Sequence, residues 1–310
     1  MPPLTLATTS MRVVRDKAKN LEKHMAFIDK AASKGADLVV FPEQSLMGYL
    51  TNTMRIDRRD LAYYPENAET VPDGESINQL IQRAREKKVY IAFGFTERSR
   101  DWPNILFNST ALLGPEGFIG VHRKVHQPRC EYHAFFPGDS WSVYDTTIGR
   151  LGLLICHDMC FPEATRELAL GGTEICLFPT AWPLFSTSSE EEVRNVEEDD
   201  GFRVYDILSK ARAIENQFWF VTSNMMGQHG EHTYFGHSRI VAPDGKIVAE
   251  VGFEEGLAIA TVDAKAEIVR HRSGMWMFNN LLKERHPETY SRIASQPSFH
   301  KPPETHVVRS

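Results

Sequence analysis

The sequence predicts a mixed α/β fold, with strands of both orientations in mixed sheets and helices on the outer faces. Three observations predict it. Short apolar runs of strand length alternate with amphipathic stretches at helical spacing along most of the 310 residues. Turns at Gly114-Pro115-Glu116-Gly117 and Pro243-Asp244-Gly245 mark two hairpins, which a purely parallel, doubly wound sheet would not contain. No internal repeat or composition shift marks a linker, so residues 1–270 read as one domain and 271–310 as a C-terminal extension.

Taken in order, residues 4–8 are a first strand. Over 14–34, Ala18, Leu21, Met25, Ile28 and Ala32 recur at helical spacing, and Gly35 closes that helix in the position glycine prefers. Residues 36–41 are a buried strand, stopped by Pro42, with Glu43 just beyond. Residues 51–73 read as irregular and polar. Ser76 is placed to cap a helix running to Lys88, with Leu80, Ile81 and Ala84 inward. A strand follows over 89–95, and 105–113 with 118–123 form the first hairpin, which delivers Lys124 at its end. Residues 126–139 are a compact loop holding Glu131. The apolar run 151–155 ends at Cys156, and Pro162 at a first helical position opens a helix that Gly171-Gly172 stops. Strands at 174–178 and 218–223 flank an acidic, serine-rich loop over 186–200 and a helix over 201–216. The second hairpin spans 237–251, residues 258–262 are the last clear strand, and the chain from about 286 is an extended tail.

Hydrophobic content of 42% with 25% charged residues is that of a soluble globular protein with ample core. A net charge of −6 without a basic stripe argues against a nucleic-acid partner. Residues 1–15 lack the apolar centre of a signal peptide and no run reaches membrane-spanning length, so no membrane partner is expected. Four cysteines (Cys130, Cys156, Cys160 and Cys176) do not make a disulfide scaffold in so long a chain, which points to a reducing, cytoplasmic setting.

Three strands end in chemically useful groups: Glu43, Lys124 and Cys156. Each has a bland reading. A lone carboxylate or ammonium is usually a surface charge, and a lone cysteine at a strand end is usually a small buried hydrophobe. Cys156-His157-Asp158-Met159-Cys160 could be read as zinc ligands, but no second pair at the usual spacing follows, so no metal is expected. At the turn from strand to helix, Cys156 would have a helix N-terminus nearby to favour its thiolate.

The local contexts decide between these readings. Phe41-Pro42-Glu43, then His122-Arg123-Lys124-Val125-His126, then Ile155-Cys156-His157-Asp158 with Phe161-Pro162-Glu163 and Arg166, stand in this chain order. Together they resemble the glutamate, lysine and cysteine motifs of the nitrilase superfamily of carbon–nitrogen hydrolases. Ala211-Arg212-Ala213-Ile214-Glu215-Asn216, Gly236-His237-Ser238 and Pro243-Asp244-Gly245 add weaker pieces, so the resemblance runs to about Asp263. It implies a four-layer α-β-β-α sandwich that pairs into homodimers or higher oligomers, with the C-terminal extension lying across the partner.

The chemistry needs these residues together. Glu43 would take the Cys156 proton, and Lys124 with the backbone N–H of His157 would hold the oxyanion that forms on attack. Glu43 would return the proton to the leaving amine and then activate water against the Cys156 thioester. The resemblance also implies a second carboxylate near the lysine, a role Glu131 fills. Tyr49 and Trp182 are the candidate pocket walls. No cofactor is called for, since base, nucleophile and oxyanion donor all come from the protein.

True nitrilases of the superfamily usually carry Trp-Glu after the cysteine; here His157-Asp158 resembles the amidase and carbamoylase branches. D-amino-acid carbamoylases carry arginines just after the cysteine to hold the substrate carboxylate, where this chain has Met159 and Cys160. The expected reaction is hydrolysis of a small amide or N-carbamoyl compound with release of ammonia. The alternatives are a nitrilase, an acyl-transferring member and a non-catalytic member.

Overall fold

The computed structural model describes residues 3–187, 189–274 and 279–295. The first part of the chain forms β1 (Leu4–Ser10), α1 (Lys17–Ser33), β2 (Leu38–Val40), α2 (Arg58–Asn67), α3 (Glu75–Lys87), β3 (Tyr90–Arg98), β4 (Leu106–Gly114) and β5 (Gly117–Arg123). The second part forms β6 (Val143–Thr146), β7 (Gly149–Leu153), α4 (Pro162–Leu170), β8 (Ile175–Thr180), α5 (Asp200–Asn216) and β9 (Trp219–Asn224). It continues with β10 (Met226–His229), β11 (His232–Phe235), β12 (Arg239–Val241), β13 (Ile247–Glu250), β14 (Gly256–Val262) and α6 (Ala264–Arg272).

Two six-stranded mixed sheets result, in the orders β14-β1-β2-β3-β4-β5 and β13-β12-β9-β8-β7-β6. In each, three parallel strands occupy the middle and antiparallel strands the edges. Strand alternation then makes the layers. Leu6, Leu38, Val40 and Ala92 of the first sheet pack against Leu151, Leu153, Leu177, Trp219 and Val221 of the second. The opposite face of the first sheet buries Val39, Ile91 and Phe93 against Ile28 of α1 and Ile77, Leu80 and Ala84 of α3. The opposite face of the second buries Cys176, Phe178 and Phe220 against Ala164 and Leu168 of α4 and Tyr205 and Ala213 of α5. This is the four-layer α-β-β-α sandwich. At one end the two sheets are also joined through hydroxyls: Ser223 Oγ and Ser238 Oγ both donate to the Thr9 carbonyl, at 2.7 and 2.8 Å.

Several expectations need correction. Residues 51–73 are not wholly irregular, because α2 lies within them. Its only buried residues are Asp60 and Tyr64. Asp60 is buried as an acceptor, for Arg15, the Thr51 N–H and the Thr51 hydroxyl, so the usual apolar stripe is missing. Ser76 does not cap α3. Gly74 holds the N-cap position, and Glu69 supplies the acceptor from outside, taking the Ser76 and Ile77 N–H groups at 3.0 and 3.2 Å. Strands β6, β10 and β11 and helix α6 are further elements of the fold. The acidic stretch 186–200 contains two single 3₁₀ turns, Glu190–Glu192 and Val196–Glu198, and Asp199 caps α5. Of the C-terminal extension, residues 279–295 are turns with one 3₁₀ segment, Pro287–Thr289, while 275–278 and 296–310 lie outside the described residues.

Candidate active site

The parallel strands β2 and β7 and the edge strand β5 end on the same side of the sandwich, and each leads into one of the three motifs. After β2 the chain turns through Gln44 in a left-handed conformation, φ 49°. It passes so close to β3 that a Cβ on Gly94 would lie 2.3 Å from the Gln44 nitrogen and 2.6 Å from the Glu43 Cα. Only glycine fits there. Lys124 leaves β5 with its N–H bonded to the Asn108 carbonyl at 2.8 Å. Cys156 starts a 3₁₀ turn, Cys156–Cys160, at φ 45°, a strained conformation for a residue with a Cβ.

Glu43, Lys124 and Glu131 form a fully buried charge cluster. Lys124 Nζ donates to Glu43 Oε1 and to Glu131 Oε2, both at 2.7 Å. Asn108 Nδ2 donates to both carboxylates, at 2.7 Å to Glu43 Oε1. Asn108 is itself oriented by Gln44, whose Nε2 donates to Asn108 Oδ1 at 3.0 Å, and Thr96 Oγ1 fixes Gln44 at 2.8 Å. The Ala181 N–H, just past β8, donates to Glu43 Oε2 at 2.8 Å. The same N–H and the Thr180 hydroxyl lie beside the Cys156 thiol, so Glu43 and Cys156 meet at one backbone group.

The electrostatics assign states to these groups. Burial alone would push the Lys124 ammonium down, but the charges of Glu131 and Glu43 hold it well above its ordinary value. Burial pushes the Glu131 carboxyl up to about 7, with Lys124 opposing. Burial and then the Glu43 charge push the Cys156 thiol well above its usual range. The expectation of a helix-favoured thiolate is therefore not supported: burial and the Glu43 charge favour the neutral thiol. Burial and the Lys124 charge push the His157 imidazole down, so that side chain is a neutral wall of the site.

Asp158 joins the lysine and cysteine motifs. It accepts from the His126 N–H at 2.9 Å, His126 Nδ1 at 2.8 Å and the Ile155 N–H at 3.3 Å, and His122 Nε2 stands 3.5 Å away. Burial would raise its carboxyl, but the hydrogen bonds from His122 and His126 outweigh it and hold it down at about 2. His126 also stacks on Phe161, with centroids 3.7 Å apart. Asp158 thus serves neighbouring groups, as Cys160 Sγ lies 3.5 Å from His157 Nδ1.

A cavity of about 330 Å³ opens onto Cys156. Tyr49, Trp182, Pro183, Phe185 and Val204 give it apolar walls, and His157, Cys160, Thr53 and Arg129 also line it. Both expected pocket residues, Tyr49 and Trp182, line it. Tyr49 also links cavity and cluster, with Lys124 Nζ 5.8 Å from its ring centroid. No protein acceptor for the His157 N–H lies among the described residues. Sequence reasoning missed Asn108, Gln44, Arg129 and Tyr234, whose hydroxyl is buried without a partner and close enough to feel the Glu43 and Cys156 charges. The one available signal was Asn108, a polar residue inside the apolar run 105–113.

Comparison with known proteins identifies the family. The family described as carbon-nitrogen hydrolase matches residues 5–270. A nitrilase of Pyrococcus abyssi is 32% identical over 88% of this chain and 94% of its own length. A human omega-amidase is 28% identical over 86% of this chain and 90% of its own. Among solved structures, an amidase from Nesterenkonia sp. AN1 superposes with a TM-score of 0.74 at 22% identity, covering 94% of this chain and 97% of that one. That structure carries the acetamide moiety of fluoroacetamide on its active-site cysteine. With the family matched across nearly the whole described chain, this protein belongs to the carbon–nitrogen hydrolases.

Proposed function

We propose that the protein hydrolyses the C–N bond of a small amide, releasing ammonia through a thioester on Cys156. The observation that carries this reading is the lysine held between two buried carboxylates beside a buried thiol, at the base of an apolar cavity. Glu43 is the base. It accepts the Cys156 proton as sulfur attacks the carbonyl carbon, because Lys124 stays an ammonium and cannot. Lys124 and the His157 N–H receive the negative charge that develops on oxygen. Collapse breaks the C–N bond, Glu43 protonates the departing amine, and the acyl group remains on sulfur. Water then gives its proton to Glu43 and displaces the thiol. Glu131 keeps Lys124 aligned through this cycle. Burial of the whole cluster strengthens each of these charge contacts.

N-carbamoyl compounds present the same carbonyl and nitrogen and belong to the proposed range. A homodimer is supported by the apolar side chains that the two outer helices of the second sheet expose, Leu170 at the end of α4 and Ile207 on α5. The C-terminal extension, 271–310, would lie at that interface, with 1–270 as the single catalytic domain. The four free cysteines are consistent with a reducing, cytoplasmic location. Among the described residues no helix is long and apolar enough to cross a membrane.

The test is ammonia release from aliphatic amides, N-carbamoyl amines and acids, and nitriles, with Cys156→Ala alongside. Release from an amide or carbamoyl compound, lost in the variant, supports the proposal. Release from nitriles alone would favour the activity named for the Pyrococcus abyssi relative. Acyl hydroxamate formed with added hydroxylamine, but no ammonia or acid formed without it, would mean acyl transfer, and silence across the panel would mean a non-catalytic role.

A further inference from the structure

The cavity above Cys156 has apolar walls, yet one full positive charge stands among them. Arg129 follows Pro128 in the loop after the lysine motif, and its backbone is held in the left-handed region at φ 51°. Its guanidinium lies 5.8 Å over the Phe185 ring and donates from Nη1 to Thr53 Oγ1 at 3.3 Å. Thr53 is in turn anchored on His232 Nε2, through its N–H and its hydroxyl, both at 3.1 Å. Among the described residues Arg129 forms no ion pair, whereas Arg12, Arg55 and Arg123 each meet a carboxylate. The nearest carboxylate in sequence, Glu131, is committed to Lys124 and Asn108.

Arg129 is exposed, is positioned by a left-handed turn, an aromatic face and a hydroxyl, and has no protein carboxylate beside it among the described residues, so its guanidinium is available to an anion in the cavity. No acidic side chain lines the cavity, so an anion entering it meets no repulsion there. We infer that Arg129 binds a carboxylate on the substrate, at the end opposite the scissile carbonyl. The favoured substrates are then short chains with an amide or N-carbamoyl group at one end and a carboxylate at the other. The stretch after Cys156, Met159 and Cys160, offers no such reader, and a residue from a different loop takes its place. Arg129 is a specificity residue and touches none of the bonds that change.

The inference rests on the amide-hydrolase reading, so its test separates the two. In the Cys156→Ala background, which cannot turn over, equilibrium binding of the monoamides of succinic and glutaric acid is compared with that of butyramide and valeramide. N-carbamoyl-β-alanine against propylurea forms the second arm. Trp182 in the cavity wall supplies a fluorescence signal. The carboxylate member of each pair should bind about tenfold or more tightly, and Arg129→Ala should erase that ratio, Arg129→Lys restoring part of it. In the active enzyme the same substitution should raise KM for the carboxylate members with little change in kcat. A binding ratio near one in the parent, or one that survives Arg129→Ala, would overturn the inference, even if amides are hydrolysed. Preserved discrimination in binding without ammonia release by the active protein would instead uphold Arg129 and sink the hydrolase reading.

Discussion

The two sheets have nearly mirrored strand patterns, yet they bring different things to the site. The first sheet delivers charge: Glu43 after β2, Lys124 after β5, and Asn108 within β4 between them. All three are held by direct hydrogen bonds with no exposed member. The second sheet delivers the proposed nucleophile and the cavity: Cys156 on a strained turn after β7, Ala181 and Trp182 after β8. One half is a stiff electrostatic frame, and the other presents a neutral thiol to it. The lesson is that activation is divided between the halves. Burial and the Glu43 charge push the thiol up, so in the proposed mechanism its proton leaves only when a substrate carbonyl lies beside Lys124.

Breaking the frame should have the largest effect. Lys124→Met leaves two buried carboxylates facing one another without a cation. We expect ammonia release to fall by about 10³-fold or more. Unfolding free energy should fall by about 3–5 kcal/mol, measured by denaturant titration. A variant that kept near-normal rates would refute the oxyanion role given to Lys124.

Loosening the frame should cost less. Asn108→Leu removes the amide that bridges Glu43 and Glu131 while keeping volume. Its loss should lower kcat by about 10- to 100-fold and stability by about 1–3 kcal/mol, read from steady-state kinetics and thermal melts. Equal kinetics would show that Lys124 alone aligns the carboxylates.

The join between the halves is the next target. Asp158→Asn should weaken the hold of His126 and Ile155 and lower kcat by about tenfold. Because Asp158 sits at about 2 against an ordinary 3.8, its stabilisation is present above 3.8 and lost as pH falls toward 2. The stability gap between wild type and Asp158→Asn, measured by melts at neutral pH and at pH near 3, should therefore narrow on acidification.

The smallest effect lies behind the first sheet. Burial of His24 between Asn20 O and Ser45 Oγ pushes its imidazole down to about 4 from 6.5. The folded state prefers it neutral, so stability is full above 6.5 and declines as pH falls toward 4. His24→Gln should flatten that acid limb in stability-versus-pH curves, and an unchanged limb would place its origin elsewhere.

The legible parts of this molecule were those whose signal is local. Glu43, Lys124 and Cys156 each follow a run of strand length, so their positions could be read from periodicity, and the motifs around them carry the roles proposed for them. The helix α2 was hidden because its buried residues are Asp60 and Tyr64 and its last turn holds Pro65. The hairpin of β10 and β11 turns at Gly230-Glu231 between strands of four residues, too short for alternation to show. Asn108 showed only as a polar break in a strand and Arg129 not at all, because their meaning lies in neighbours 23 to 76 positions away. The thiol's resting state was misjudged for a related reason. A turn predicts a helix terminus, whereas burial and an opposing carboxylate appear only in three dimensions.

The first sheet is finished by the last strand to be made. β14 pairs antiparallel with β1 in register from Leu4↔Val262 to Ser10↔Gly256. A message that ends early, or a protease cut before Gly256, would strip that partner away. The bared edge, Leu-Thr-Leu-Ala-Thr-Thr-Ser, has neither charge nor proline to deter another strand. Incomplete chains of this protein should consequently clump through their own first strand, so that a truncated product is withdrawn from solution instead of lingering as a half-built hydrolase.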